Sequence, residues 1–208
     1  MKMLNILFFN SIYLQKYEIL FQIMPVFDYF CGIKGLMNKY ITKINVIEYH
    51  SPVGDLILGE SDGRLCLCDW RSRFKCRATE EYVEQGSGVL LLAMNQLDEY
   101  FNRERTAFDI ELNLIGTSFM REVWSELLRI PYGKAVSYRQ IAANIGNERA
   151  VRAVANAIGA NRISIIVPCH RVLSHNGTIG GYRGGIEAKR QLLELERMSL
   201  PLGFVNKC

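Results

Sequence analysis

The segment NRISIIVPCHRV, residues 161–172, joins an apolar run to three polar or reactive side chains. Residues 163–167 are rich in β-branched side chains, are too few for a helix and are bounded by Pro168, so we predict a buried strand there. Such a strand would deliver the next residues, Cys-His-Arg at 169–171, to a defined position. These three residues are a poor choice for filling a core, which indicates a chemical role.

Cys169 is the candidate nucleophile of this segment. A thiol reacts as its thiolate, and a neighbouring positive charge or an imidazole that accepts the proton raises the thiolate fraction at neutral pH. Free cysteines are commonly buried apolar residues. The flanking His170 and Arg171, directly after a predicted buried strand, favour the reactive interpretation here.

Helices are predicted upstream of this segment. One begins after Thr117 as a possible N-cap and ends before Pro131. Two more, Ser137–Gly146 and Glu148–Ala160, are joined by a Gly-containing turn and resemble a helix-turn-helix. The second is rich in alanine, so its surface could approach a groove closely, with Arg152 protruding. Tight packing of two ordinary helices would explain the small residues equally well.

Residues 44–116 are predicted to form a small α+β unit. Two strand-like runs are separated by Ser61-Asp62-Gly63, and Asp-Gly between such runs is a strong hairpin signal. Within 79–102 the apolar residues recur at helical spacing, and residues 108–112 alternate as a further strand would. This part contains no catalytic constellation.

Charge differs between the two halves of the chain. Of the 208 residues, 49% are hydrophobic, which excludes an intrinsically disordered protein. Residues 44–116 hold 7 basic and 13 acidic side chains, whereas residues 117–200 hold 12 basic and 6 acidic. A basic C-terminal part fits a polyanion-binding module on a support domain, although solvated surface charge explains the pattern equally well.

The six cysteines are scattered and none forms a Cys-x2-Cys pair. We therefore expect reduced thiols in a cytoplasmic protein, with no disulfide framework and no metal site. Residues 1–43 are expected to be an N-terminal extension, either poorly ordered or a start-site artefact, with the functional chain beginning near Met37. The apolar stretch at residues 3–14 is interrupted by polar residues and is too short to span a bilayer. Residues 201–208 are expected to be a tail.

Several motifs in order resemble the O6-alkylguanine-DNA alkyltransferase (methylated-DNA–protein-cysteine methyltransferase) family. The motifs are Ser137-Tyr138, Arg152, Pro168-Cys-His-Arg-Val172, Gly181-Tyr-Arg-Gly-Gly185 and Leu192-Leu-Glu-Leu-Glu196. The resemblance covers roughly residues 46–198 and is strongest from Thr117 onward. It implies an α/β (α+β) fold, in which a small ribonuclease H-like antiparallel sheet with a helix (44–116) precedes a winged-helix or helix-turn-helix domain (117–200) that carries the reactive cysteine.

The resemblance also implies roles for five residues in the reaction. Cys169 matches the acceptor that takes an alkyl group from O6 of guanine. His170 matches the base that deprotonates it through a water, and Glu196 the carboxylate that orients this histidine. Asn161 matches an asparagine that hydrogen-bonds within the site, and Tyr138 a phenol that donates a proton toward guanine N3.

DNA-contacting residues follow from the same resemblance. Arg152 matches a side chain inserted into the duplex where the damaged nucleotide has been, on a helix in the minor groove. The DNA backbone would meet Arg139, Asn147 and His175, and the alkyl pocket would be walled by Gly181, Tyr182 and Arg183. The implied partner is double-stranded DNA containing O6-alkylguanine, bound by a monomer with no cofactor, no metal, no membrane and no obligate protein partner.

Two other functions compete with single-turnover repair by transfer to Cys169. One is a helix-turn-helix sensor of alkylation lesions that recruits other factors without useful transfer. The other is a Cys-His thiol hydrolase, although no oxyanion-hole motif is present. The sequence leaves open the preferred alkyl group and whether O4-alkylthymine is also a substrate.

Overall fold

The computed structural model describes residues 42–77, 79–174 and 177–196. The predicted extension, residues 1–43, lies outside this range except for its last two residues, because strand β1 begins at Thr42. The predicted tail, 201–208, also lies outside the described residues. Within the described ranges, no helix is both long enough and apolar enough to cross a membrane.

The N-terminal part is a four-stranded sheet covered by a helix. Its elements are β1 (Thr42–Ser51), β2 (Gly54–Ser61), β3 (Arg64–Trp70), β4 (Glu80–Glu84) and α1 (Gly88–Phe101). The strand order is β3-β2-β1-β4. The first three strands pair antiparallel as predicted, but β4 pairs parallel to β1, so the sheet is mixed.

The hairpin between β2 and β3 turns where the sequence predicts. Asp62 and Gly63 have φ of 55° and 71°, the positive values that a two-residue type I′ turn requires. Helix α1 packs on the sheet through fully buried Leu90, Leu97 and Tyr100. The α+β class is therefore confirmed, and Tyr100 points from this helix into the molecule's interior.

The C-terminal part is helical. Its elements are β5 (Val136–Ser137), β6 (Val172–Leu173), α2 (Ser118–Leu127), α3 (Tyr138–Asn144), α4 (Val151–Gly159) and α5 (Ile186–Leu195). Thr117 and Ser137 cap α2 and α3 as predicted, since their hydroxyl oxygens accept from the backbone N–H three residues on. Helices α3 and α4, with the short 3₁₀ turn Glu148–Ala150 between them, form the predicted helix pair.

The strand predicted for residues 163–167 was wrong, because this run forms a buried turn. Ile165 has a φ of 70°, outside the range of an extended strand. The N–H of Val167 donates to the carbonyl of Ile163 at 2.9 Å, across the turn. One bridge joins Ile163 to Cys68 of β3, and the N–H of Ser164 donates to the Cys68 carbonyl. The sheet therefore fixes the turn without extending through it.

Two further local predictions were incomplete. Residues 108–112 form no strand and pair only through an isolated bridge between Leu112 and Leu65. Strand β4 lies at the start of the segment that was interpreted as helical. Its pairing with β1 is set by tertiary contacts, which periodicity within a single segment does not reveal.

Candidate active site

Cys169 begins a 3₁₀ turn, Cys169–Arg171, that follows the buried turn. Its side chain is held by Asn161, whose Nδ2 donates to Sγ at 3.2 Å and to the carbonyl of Val167 at 3.0 Å. The amide oxygen of Asn161 accepts from the N–H of Ile163 at 2.9 Å. Asn161 therefore supplies the hydrogen bonds that a strand partner would have supplied, and it orients the sulfur at the same time.

Burial and nearby positive charges act in opposite directions on the ionisation of the Cys169 sulfur. Cys169 is 4% exposed, and burial raises the pKa of its thiol. The hydrogen bond from Asn161 and the positive charges of Lys189 and Arg183 lower that pKa and oppose the effect of burial. Because burial prevails, the thiol needs a base to lose its proton at neutral pH.

His170, which the resemblance matches to that base, follows Cys169 directly in the 3₁₀ turn. Its Nε2 lies 2.8 Å from Oε1 of Glu196, and both side chains are fully buried. Burial lowers the pKa of His170, so the ring is neutral at pH 7. A carboxylate accepts only, so Nε2 carries the proton and Nδ1 is left as an acceptor. Among the described residues, Nδ1 has no hydrogen-bond partner, and it is therefore free to accept a proton.

Glu196 is fixed by donors from three segments of the chain. The Arg171 guanidinium donates to both carboxylate oxygens at 2.9–3.2 Å, the Tyr100 hydroxyl donates to Oε1 at 2.8 Å, and the Gly133 N–H donates to Oε2 at 3.1 Å. Burial favours the neutral acid, but the hydrogen bonds from His170 and Arg171 and the guanidinium charge of Arg171 hold the pKa of Glu196 well below its usual range. An ionised Glu196 in one orientation fixes the tautomer of His170.

Lys189 is a buried cation beside this relay. Its Nζ donates to the carbonyl of Val172 at 2.7 Å, and burial lowers its pKa to about 8, an effect opposed by Cys169. The ammonium is thus positioned to favour a negative sulfur. Leu192, one turn further along the same helix face, is also buried.

Tyr138 begins α3 at the edge of the site. Its hydroxyl packs against Gly180, where a Cβ would lie only 3.1 Å from the phenol oxygen. Burial and the charge of Cys169 raise the pKa of Tyr138, so the phenol keeps its proton at neutral pH. Tyr138 also lines a cleft of about 330 Å³ with Arg139, Val151 and Ser174. A protonated phenol therefore lines an open cleft and packs against the buried cluster that includes Cys169.

The loop 181–185 closes another side of the site. The Tyr182 hydroxyl is buried, and burial followed by the charges of Cys169 and Cys68 raises its pKa well above the usual value. The neighbouring Arg183 forms an ion pair with Asp69 of β3. Gly181 is exposed. The loop therefore packs one aromatic side chain, Tyr182, against the buried cluster that includes Cys169.

Comparisons with known proteins agree with this geometry. Residues 46–114 match the family model of the 6-O-methylguanine DNA methyltransferase ribonuclease-like domain, and residues 118–198 match that of the DNA binding domain. A constitutive methylated-DNA–protein-cysteine methyltransferase of Bacillus subtilis is 40% identical over 169 residues, which cover 78% of this chain and 98% of the relative. The chain belongs to this methyltransferase family.

Two further similarities extend the assignment. A methylated-DNA–protein-cysteine methyltransferase of Mycobacterium tuberculosis is 54% identical over 114 residues, 55% of this chain and 69% of that protein. The crystal structure of Mycobacterium tuberculosis OGT in complex with DNA matches with a TM-score of 0.65 and 44% identity, over 74% of this chain and 92% of that one. The matched DNA binding domain includes the helix pair α3–α4 of this methyltransferase family member.

The predicted DNA-contacting residues of this methyltransferase chain lie on that helix pair. Arg139 on α3, Asn147 before the 3₁₀ turn and Arg152 on α4 are all exposed. His175 lies outside the described residues. In contrast, Cys169, His170 and Glu196 are buried.

Sequence reasoning missed three members of the site. Arg171 was noted only for its charge, although it binds Glu196. Lys189 could have been found, because a lysine on the apolar face of an otherwise regular helix is unusual. Tyr100 gave no signal beyond helical spacing. Among the described residues of this methyltransferase, no group of three or more His, Cys, Asp or Glu side chains could hold a metal ion.

Proposed function

We propose that this protein repairs DNA by direct damage reversal, moving the alkyl group of O6-alkylguanine to its own Cys169. The observation that carries this proposal is the buried pair of a neutral His170 and an ionised Glu196, which directly follows the buried Cys169 in the chain. Membership in the methyltransferase family supports the assignment.

The transfer is a displacement at carbon. Nδ1 of His170 takes the thiol proton through a water, and the sulfur anion attacks the alkyl carbon in line with the C–O6 bond. The S–C bond forms as the C–O6 bond breaks, and the electron pair moves into the guanine ring. Tyr138 donates its proton to N3 of the leaving base. The proton held by His170 returns to Tyr138 through solvent, which leaves neutral guanine and an S-alkyl cysteine.

The damaged base must leave the duplex to reach this site. Cys169 is buried, and O6 within a stacked pair cannot approach a thiol there. Unstacking costs a few kcal/mol and is cheapest for a mispaired or damaged base, which contributes selectivity. Arg152 fills the resulting gap in the stack from the minor-groove side. Arg139, Asn147 and His175 hold the DNA backbone.

We also propose one turnover for each protein molecule, because the thioether product is stable and no chemistry of this site cleaves it. The protein acts as a cytoplasmic monomer without cofactor or obligate protein partner. Light scattering after size-exclusion chromatography tests the oligomeric state, and a dimer mass would contradict it.

The decisive experiment uses duplex DNA with a radiolabelled O6-methylguanine. We expect at most one label per molecule, on Cys169. Cys169→Ser should abolish transfer but retain DNA binding, because a hydroxyl is a far weaker nucleophile. Cys76→Ser is the matched control, since Cys76 is an exposed thiol. Binding without transfer by the wild-type protein would favour a lesion sensor, and no DNA affinity would leave a thiol hydrolase.

A further inference from the structure

Arg183 of the pocket loop is held by a buried carboxylate of the N-terminal sheet. Its Nε and Nη2 donate to the two oxygens of Asp69 at 2.5 and 2.6 Å. Asp69 lies in β3 and is only 1% exposed, and its Oδ1 also accepts from the N–H of Trp70 at 2.9 Å. A two-point pair of this kind fixes direction as well as distance.

Trp70 supplies a flat surface for the same loop. The indole is buried at the end of β3, and Gly184 lies directly against it, since a Cβ on Gly184 would be 2.2 Å from the Trp70 ring. The ring of Tyr182 packs edge-on against the indole at 5.8 Å between centroids. Three successive loop residues, 182–184, are therefore attached to the last two residues of one strand.

This attachment controls the wall of the alkyl pocket. Tyr182 packs against the buried cluster that includes Cys169, so the loop cannot withdraw from this cluster without breaking the Asp69–Arg183 pair and leaving a buried carboxylate unpaired. Resting on the proposed function, we propose that the Asp69–Arg183 pair is a specificity determinant that keeps the pocket small and restricts transfer to methyl-sized groups. The N-terminal sheet thereby sets which lesions the C-terminal part accepts.

The Asp69–Arg183 pair also bears on the reaction through the charge of Arg183, and the test must separate this effect from the effect on pocket size. Arg183 is one of the charges that favour a negative sulfur at Cys169. Loss of that charge would slow transfer of every alkyl group by the same factor, because the nucleophile is common to all of them. A wider pocket would instead change the ratio between a large group and a small one. The ratio of two rates therefore isolates the effect on pocket size.

The experiment measures single-turnover transfer from duplexes that contain O6-methylguanine or O6-benzylguanine. We expect Asp69→Asn and Arg183→Gln each to raise the benzyl-to-methyl rate ratio at least tenfold. The double variant should give the same ratio as either single variant, since both remove one contact. Arg71→Gln is the matched control: it removes a 3.0 Å pair with Glu48 at the same strand end and should leave the ratio unchanged.

Each outcome decides between the possibilities. An unchanged ratio in folded Arg183→Gln would overturn the inference, even if both rates fell. That side chain is partly exposed, so its replacement should be tolerated if Asp69→Asn fails to fold, and circular dichroism checks both variants. Additive changes in the double variant would also overturn it. Absence of methyl transfer by the wild-type protein would reject the proposed function itself, and this inference with it.

Discussion

Replacing Glu196 by glutamine tests the reasoning on the relay most directly. The carboxylate accepts from His170, Arg171, Tyr100 and Gly133. Glutamine has the same shape but no charge, and its amide nitrogen would face a donor. The change therefore leaves the buried guanidinium of Arg171 without its counter-ion and His170 without a fixed orientation.

The size of the effect follows from this burial. Removing one partner of a buried ion pair costs about 3–5 kcal/mol, because the remaining charge stays desolvated. For a protein of this size, we expect the melting temperature of Glu196→Gln to fall by roughly 6–20 °C at pH 7. At a temperature where both proteins are folded, alkyl transfer by Glu196→Gln should be about a hundredfold slower, because His170 is a less effective base when its ring is not held in one orientation.

The pH dependence has a definite sign. The folded-state pKa of Glu196 is lower than that of an unfolded glutamate, so its ionisation stabilises the fold fully above the unfolded pKa. This stabilisation is lost as the pH falls toward the folded pKa. The difference in unfolding free energy between wild type and Glu196→Gln should therefore be largest near neutrality and shrink below about pH 4.

Urea unfolding at pH 7 and at pH 3.5, with single-turnover transfer rates, measures all three effects. Glu187→Gln provides the control, because Glu187 pairs with Arg190 at 2.7 Å on the exposed face of α5 and should change stability by less than about 0.5 kcal/mol. If Glu196→Gln resembled this control, or if its deficit did not depend on pH, the relay described above would be refuted.

Three other predictions concern DNA binding and the remaining charged groups. Arg152→Ala should slow repair of duplex DNA more than repair of a single strand, because an inserted Arg152 side chain replaces the flipped base only where bases are stacked in a duplex. Equal losses in the two rate assays would reject the insertion of Arg152 into the duplex. Lys189→Met should move the midpoint of the pH–rate profile upward by about one unit, because a lost cation raises the pKa of Cys169; an unmoved midpoint would leave Lys189 a structural residue. DNA affinity, measured by fluorescence anisotropy, should fall roughly tenfold or more between 50 and 200 mM salt, and a salt-insensitive affinity would count against docking through phosphates.

Local signals in the sequence predicted helices α1 to α4 and the hairpin, whereas α5 was not predicted. Thr117 and Ser137 cap helices because their side chains accept from nearby backbone groups, and Asp62-Gly63 turns because both residues tolerate positive φ. Such causes act within a few residues and are visible in one segment. The same reasoning gave a wrong prediction for residues 163–167. The side chain of Asn161 forms hydrogen bonds with their backbone groups, and the β-branched composition of the segment does not indicate this.

Long-range partners of the site were beyond local reasoning. Cys169 and His170 could be singled out because they are adjacent in sequence and chemically distinctive. Tyr100 and Asp69 follow the patterns of an ordinary helix and strand, and nothing within either segment states which C-terminal group it will meet. Their roles depend on how two parts of the chain pack.

The contacts between the two parts explain why the N-terminal part, which carries no catalytic residue, is joined to the C-terminal part that carries Cys169. Strand β3 binds the turn before Cys169 through the backbone of Cys68, which pairs with residues 162 and 164 at 2.8 Å. Helix α1 holds Glu196 through Tyr100, and the end of β3 holds the pocket loop through Asp69. The sulfur, the carboxylate of the relay and the pocket wall are thus each anchored to the N-terminal part. A buried thiol that reacts once gains from such bracing, because its geometry must be correct before the damaged base arrives.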